Sequence, residues 1–160
     1  MALKRRIIRE KVLQALYAYE ISGESIDLII DYVLSDLKEH KEEYSFAVSL
    51  IHKVIEKKKE LDEMIRSKVE HWEFNRLAVI DKLILRIGIC ELLYFEDIPP
   101  KVSINEAIEI ARRFSTEKSD KFVNGVLDSI LSEIKAEGKL KKSGRGLLDN
   151  SLKKNSQTYE

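Results

Sequence analysis

The chain has 160 residues, enough for one compact domain with a substantial core, and its balance of 44% hydrophobic and 35% charged residues is that of a globular protein with a heavily solvated surface. No apolar run of about 18 residues predicts a membrane span, no leader pattern predicts export, and Cys90, the only cysteine, rules out an internal disulfide or a thiolate zinc cluster, so the expected setting is cytoplasmic. The zero net charge hides a division: residues 1–11 and 135–160 each carry +4 around a middle of −8, a polarity suited to one polyanionic partner and one basic protein partner.

Apolar residues recur at helical spacing almost throughout, and no segment alternates as a strand, so the expected fold is all-α, a compact bundle of six or seven helices. The first helix is predicted over about residues 4–20, with Ile8, Val12, Ala15, Leu16 and Tyr19 on its core stripe. Arg6, Leu13 and Tyr17 form a second stripe beside it, about 16 Å long by helical rise. Ser22 and Gly23 break this helix. A second follows over about 25–40 and a long third over about 42–69, with Trp72 in the break after it. Asn75 caps a short turn, and Asp81 lies at the start of a central helix. Leu83, Ile84, Leu85, Ile87, Ile89, Leu92 and Leu93 make that helix apolar nearly all round, so it is buried on most sides. Pro99 and Pro100 end it. Ser103 and Glu106 then read as a capping box opening the next helix, with Ala107, Ile108, Ala111 and Phe114 on its inner side. After a polar turn over 115–119, the last helix ends near Ala136. The expected domain is therefore 1–137, with subdomains of about 1–72 and 73–137 joined through the central helix. Residues 138–160 lack apolar periodicity and read as a disordered basic tail.

Catalytic signals are weak. His40, His52 and His71 lack the i, i+4 spacing of a helical zinc pair, and there is no Gly-rich phosphate loop or Gly-x-Ser-x-Gly elbow. Cys90 falls in the most apolar helix, where an inert buried thiol is expected. The sequence predicts no enzyme, metal or cofactor.

The last helix is more informative. Val123, Val126, Leu127, Ile130, Leu131 and Ile134 share its core stripe, while Lys118, Lys121, Phe122 and Gly125 fall together outside it. A mid-helix glycine costs roughly 1 kcal/mol relative to alanine, so something other than helix stability favours Gly125. One reading is an RNA surface, with a base stacked on Phe122 and phosphates on the lysines. The other makes Phe122 a core edge and Gly125 the contact of a neighbouring helix. The first helix carries the same ambiguity: its arginines and Tyr17 fit a few nucleotides of single strand, or a solvated terminus and a core-edge tyrosine. Positive charge at a helix N-terminus opposes the macrodipole, which favours a functional reason for Arg5 and Arg6.

The run from Asp97 to Ala111 leading into Lys121-Phe122-Val123-Asn124-Gly125-Val126-Leu127-Asp128 resembles the NusB family of bacterial transcription antitermination factors. Residues 84–87 and 91–94 resemble that family's central helix. Arg5-Arg6 with Gln14-Ala15-Leu16-Tyr17 resembles its basic first helix. The resemblance covers roughly residues 4–135 and implies binding of boxA-type single-stranded RNA. The partner it implies is the small-subunit ribosomal protein NusE, in antitermination by RNA polymerase, notably in ribosomal RNA operons. Carried over by motif, Arg5, Arg6, Arg9, Gln14 and Tyr17 are RNA elements of the first helix, and Phe122, Asn124 and Gly125 of the last. Asp81 matches an acidic position facing NusE. Lys118 stands where many members have an acid, which should strengthen phosphate attraction. The family includes monomers and homodimers. A NusB-like domain also begins some ribosomal RNA cytosine methyltransferases, but a chain ending in a polar tail points to the stand-alone factor. A helical protein-docking module without RNA binding is the reading from a different class.

Overall fold

The computed structural model describes residues 4–148. Its eight α-helices are α1 (Arg5–Ser22), α2 (Ile26–Val33), α3 (Lys41–Glu56), α4 (Lys58–Arg66), α5 (His71–Arg76), α6 (Val79–Tyr94), α7 (Pro100–Phe114) and α8 (Ser119–Ala136). Single 3-10 turns lie at Ser35–Leu37 and Gly144–Leu147, and there is no strand among the described residues. The all-α expectation holds, with more and shorter helices. The long third helix breaks at Lys57, whose backbone leaves helical geometry (φ −100°, ψ 11°). Between Val54–Ile55 and Leu61 the apolar stripe gives way to the charged run 56–60, so no packing holds the axis straight there.

Helix α6 is the axle. It packs against α1, α3 and α4 on one side and α7 and α8 on the other. Its residues Leu83–Leu92 are buried without exception, as an all-round apolar helix must be. Two of those buried residues are charged. Arg86 donates to both oxygens of Asp62 on α4 at 2.7 and 3.1 Å. Glu91 receives the guanidinium of Arg9 on α1 at 2.9 and 2.6 Å, and the Ser103 hydroxyl of α7 at 2.9 Å. Three helices thus meet at one carboxylate.

That contact corrects the reading of Ser103. Helix α7 starts earlier, at Pro100, where a proline at the first position loses no hydrogen bond. Ser103 lies a turn inside the helix and is buried against Glu91, so it caps nothing. Phe114, expected inward, is partly exposed at the helix end.

The basic tail needs a larger correction. Gly138 takes the left-handed conformation (φ 69°) at the end of α8 and turns the chain back. Residues 138–148 then dock on the end of α6. Lys142 Nζ donates to the carbonyls of Glu91 and Phe95 at 3.1 and 2.8 Å, a cation on helix C-terminal carbonyls that also accept the Phe95 and Ile98 amides. The Ser143 amide donates to the Glu96 carbonyl at 3.0 Å. Gly146 is buried so closely that a Cβ there would lie 1.9 Å from the Glu96 oxygen. Polar caps and backbone contact hold this arm, and neither leaves a trace in apolar periodicity. Residues 149–160 of the expected tail lie outside the described residues.

Candidate nucleic-acid interface

On α1 the charges that looked available are largely engaged. Arg9 is only 2% exposed and forms the pair with Glu91. Burial alone would weaken its charge, but the adjacent carboxylate outweighs this and holds the guanidinium proton more firmly than usual. Such a group cannot reach a phosphate, so Arg9 leaves the candidate set. Leu13 is also buried and joins the core, although its spacing put it beside Arg6 and Tyr17 on the second stripe. Arg6 remains on the surface but makes a two-pronged pair with Glu106 of α7, at 2.7 and 3.0 Å. Arg5 is exposed, with its guanidinium 4.1 Å from the centre of the Phe46 ring. Gln14 is exposed and Tyr17 is 42% exposed, so both stand open near the middle and end of the helix.

Helix α8 presents a different surface. Val123, Val126, Leu127, Ile130 and Ile134 are buried, as the stripe requires. Lys118, Lys121, Asn124 and Gly125 are exposed, and Phe122 is half-buried against the core edge. A Cβ built on Gly125 meets nothing within 4 Å. Among the described residues the glycine therefore admits no neighbouring helix, and the helix-contact reading of that residue finds no support there. Phe122 satisfies part of both readings: one side of the ring covers the core, and the rest is open.

Sequence reasoning missed what joins these two helices. Helix α7 packs against both α1 and α8. Its last turn ends in Arg112, Arg113 and Phe114, all exposed. Arg113 pairs with Glu10 of α1 at 2.9 Å. Arg112 pairs with Asp120 of α8 at 3.1 Å and also with Glu109 of its own helix. The side-chain bond from Arg112, with the Lys121 backbone amide behind it, lowers the Asp120 pKa below the usual carboxylate range. Basic and aromatic groups therefore run from α1 across the end of α7 to α8. The available signal was the consecutive Arg112-Arg113-Phe114 run at a helix end, where cations also suit the macrodipole.

Asp81 lies nearly buried at the start of α6. It is 9% exposed and accepts hydrogen bonds from the Ser115 and Ser119 hydroxyls, at 2.7 and 3.1 Å. Ser115 and Ser119 also hydrogen-bond each other at 2.8 Å. The carboxylate fastens the α7–α8 corner to the start of α6 and so holds the α8 patch in place. The position looked like a free acid because its partners lie 34 and 38 residues away, beyond any local pattern. Among the described residues no group of three or more His, Cys, Asp or Glu side chains could hold a metal ion.

Residues 6–132 match the model of the NusB family. The chain belongs to the NusB family. Its relatives bear this out: the transcription antitermination protein NusB of Chloroherpeton thalassium is 48% identical over 159 residues, spanning 96% of this chain and 74% of that one. The solved NusB of T. maritima superimposes with a TM-score of 0.76 at 40% identity, covering 83% of this chain and 94% of its own. A solved complex of the antitermination factors NusB and NusE with double-stranded RNA contains the same fold (TM-score 0.71, 24% identity, 81% of this chain and 96% of that one). The family model's match ends at residue 132, short of the docked arm.

Proposed function

We propose that this NusB protein binds boxA-type single-stranded RNA across the face formed by α1, the end of α7 and α8, and does so together with NusE. In that role it supports antitermination by RNA polymerase in the cytoplasm, notably in ribosomal RNA operons, and it catalyses no reaction. The observation that carries the reading is the open backbone at Gly125 beside Phe122 and the unpaired Lys118 and Lys121. A base can stack on the free part of the ring, the lysines can meet phosphates, and the missing Cβ lets a sugar-phosphate backbone come close. Arg6, Gln14 and Tyr17 supply a second contact line on α1, and Arg5, Arg112, Arg113 and Phe114 lie at its margins. NusE enters through the family, and the acidic middle of the chain suits a basic ribosomal protein. No described helix is long and apolar enough to cross a membrane.

Titration of a labelled boxA-type single strand, with and without NusE, tests the proposal. The expected outcome is salt-dependent binding that NusE tightens. Binding that is equal for boxA and an unrelated strand, and indifferent to NusE, would reduce the face to a generic basic surface. A duplex competitor in the same titration decides whether the single strand is preferred.

A further inference from the structure

Between the docked arm and the start of α1 lies an open basin of about 340 Å³. Its apolar wall is Ile98, Pro99, Val102 and Leu148, and its exposed cations are Arg5 and Arg145. The arm over 138–148 carries four basic residues and no acid. Lys142 is used to seat it on α6 and Lys139 pairs with Glu137, whereas Arg145 has no ion pair among the described residues. Val102 lies one turn before Glu106 on α7, and Glu106 holds Arg6. The basin is therefore continuous with the α1–α7 seam of the RNA face.

We propose that the arm extends the RNA site, and that this basin takes one further nucleotide of the same single strand. The inference rests on the RNA reading above. A flat base fits against Pro99, Val102 and Leu148, and its flanking phosphates fall to Arg5 and Arg145. Asp97, which also lines the basin, would repel a phosphate but can accept from the exocyclic amine of a base. The base therefore points inward and the phosphates outward. Rigid seating favours this use: an arm held by Lys142, Ser143 and Gly146 orders Arg145 before RNA arrives, so binding does not have to order that segment.

The test compares a short boxA-type strand of about 8 nucleotides with the same strand lengthened by about four at either end. In the full chain, lengthening at one end should tighten binding by roughly five- to tenfold, from burying one base against aliphatic side chains and adding one phosphate contact. Arg145→Glu should erase that gain and leave affinity for the short strand unchanged. Arg145→Gln should lower the log–log salt slope for the long strand by about 0.7. Gly146→Val alters no charge but should unseat the arm, and it should erase the gain as well. A length gain that survives both Arg145→Glu and Gly146→Val overturns the proposal, as does tight binding of both strands with no gain at either end. Displacement by polyglutamate as effective as by excess RNA would mark a generic anion site and overturn it too. Failure to bind either strand would instead bring down the RNA reading, and this inference with it.

Discussion

Helices α1 and α8 both read from sequence as basic surfaces with an aromatic, but they spend their charge differently. On α1, Arg9 is buried on Glu91 and Arg6 is clasped by Glu106. On α8, Lys118 and Lys121 stand unpaired beside an open glycine. Formal charge counts what a helix carries, and the structure decides what it can offer. α1 uses much of its charge to hold the bundle together, while α8 leaves its charge for a ligand. The difference follows from neighbours: α1 lies against α6 and α7, which bring Glu91 and Glu106, whereas Lys118 and Lys121 form no salt bridge and the nearby Asp120 is taken by Arg112.

The largest effect expected from breaking this contrast is on stability. Arg9→Ala should cost about 3–5 kcal/mol, because it strands the Glu91 carboxylate in the core with only the Ser103 hydroxyl as a side-chain donor. Chemical denaturation reads this directly; a loss under 1 kcal/mol would return Arg9 to the surface and to the RNA candidates. Next is Asp81→Lys. It replaces an acceptor for two hydroxyls with a buried cation, and should cost about 3 kcal/mol while loosening the α7–α8 corner. Its check is thermal melting together with hydrogen exchange at 115–119. A variant that melts normally and loses only NusE binding would restore Asp81 as a partner contact.

These two residues also mark how far the sequence could be read. The core stripes of α1, α6 and α8 were legible because burial there repeats every three or four residues, and local spacing reports it. The Lys121–Asp128 motif was legible because a glycine and an aromatic in a helix conflict with simple helix stability. The internal pairing of Arg9 and Asp81 is not legible, because their partners sit 82 residues and 34–38 residues away in the chain, and spacing carries no long-range pairing. The docked arm was missed for a related reason: Lys142 on backbone carbonyls and Gly146 against Glu96 leave no periodic mark.

The α8 patch is open to two mid-sized tests. Phe122→Ala should lose about 1–3 kcal/mol of RNA binding through lost stacking. Because the ring also covers the core edge, it should lose about 1 kcal/mol of stability as well. Full RNA affinity in the folded variant would leave only the core-edge role. Gly125→Ala should do the opposite to the fold. The new Cβ meets no atom, so the helix gains roughly 1 kcal/mol from the better propensity. If RNA backbone approaches there, the more stable protein binds RNA less well. A variant that is more stable and binds equally well would show that the glycine serves no close approach.

The smallest effect is the sharpest comparison of the two helices. Each cation that neutralises a phosphate of a single strand contributes about 0.7 to the log–log slope of affinity against salt. Lys121→Gln should therefore lower the slope by about 0.7, since Lys121 is exposed and its neighbour Asp120 is bridged by Arg112, not by Lys121. Arg6→Gln should lower it by less. Its guanidinium is already balanced by Glu106 at 2.7 Å, and the paired bond raises its pKa through that same carboxylate. To meet a phosphate it must share or leave that partner. The double variant Arg6→Gln, Glu106→Gln should have nearly the slope of the unaltered protein, because removing both charges of the pair leaves the local field almost unchanged. Equal slope losses for Lys121→Gln and Arg6→Gln would mean that the Arg6–Glu106 pair opens on binding. The contrast between a structural α1 and a displayed α8 would then hold only for the free protein.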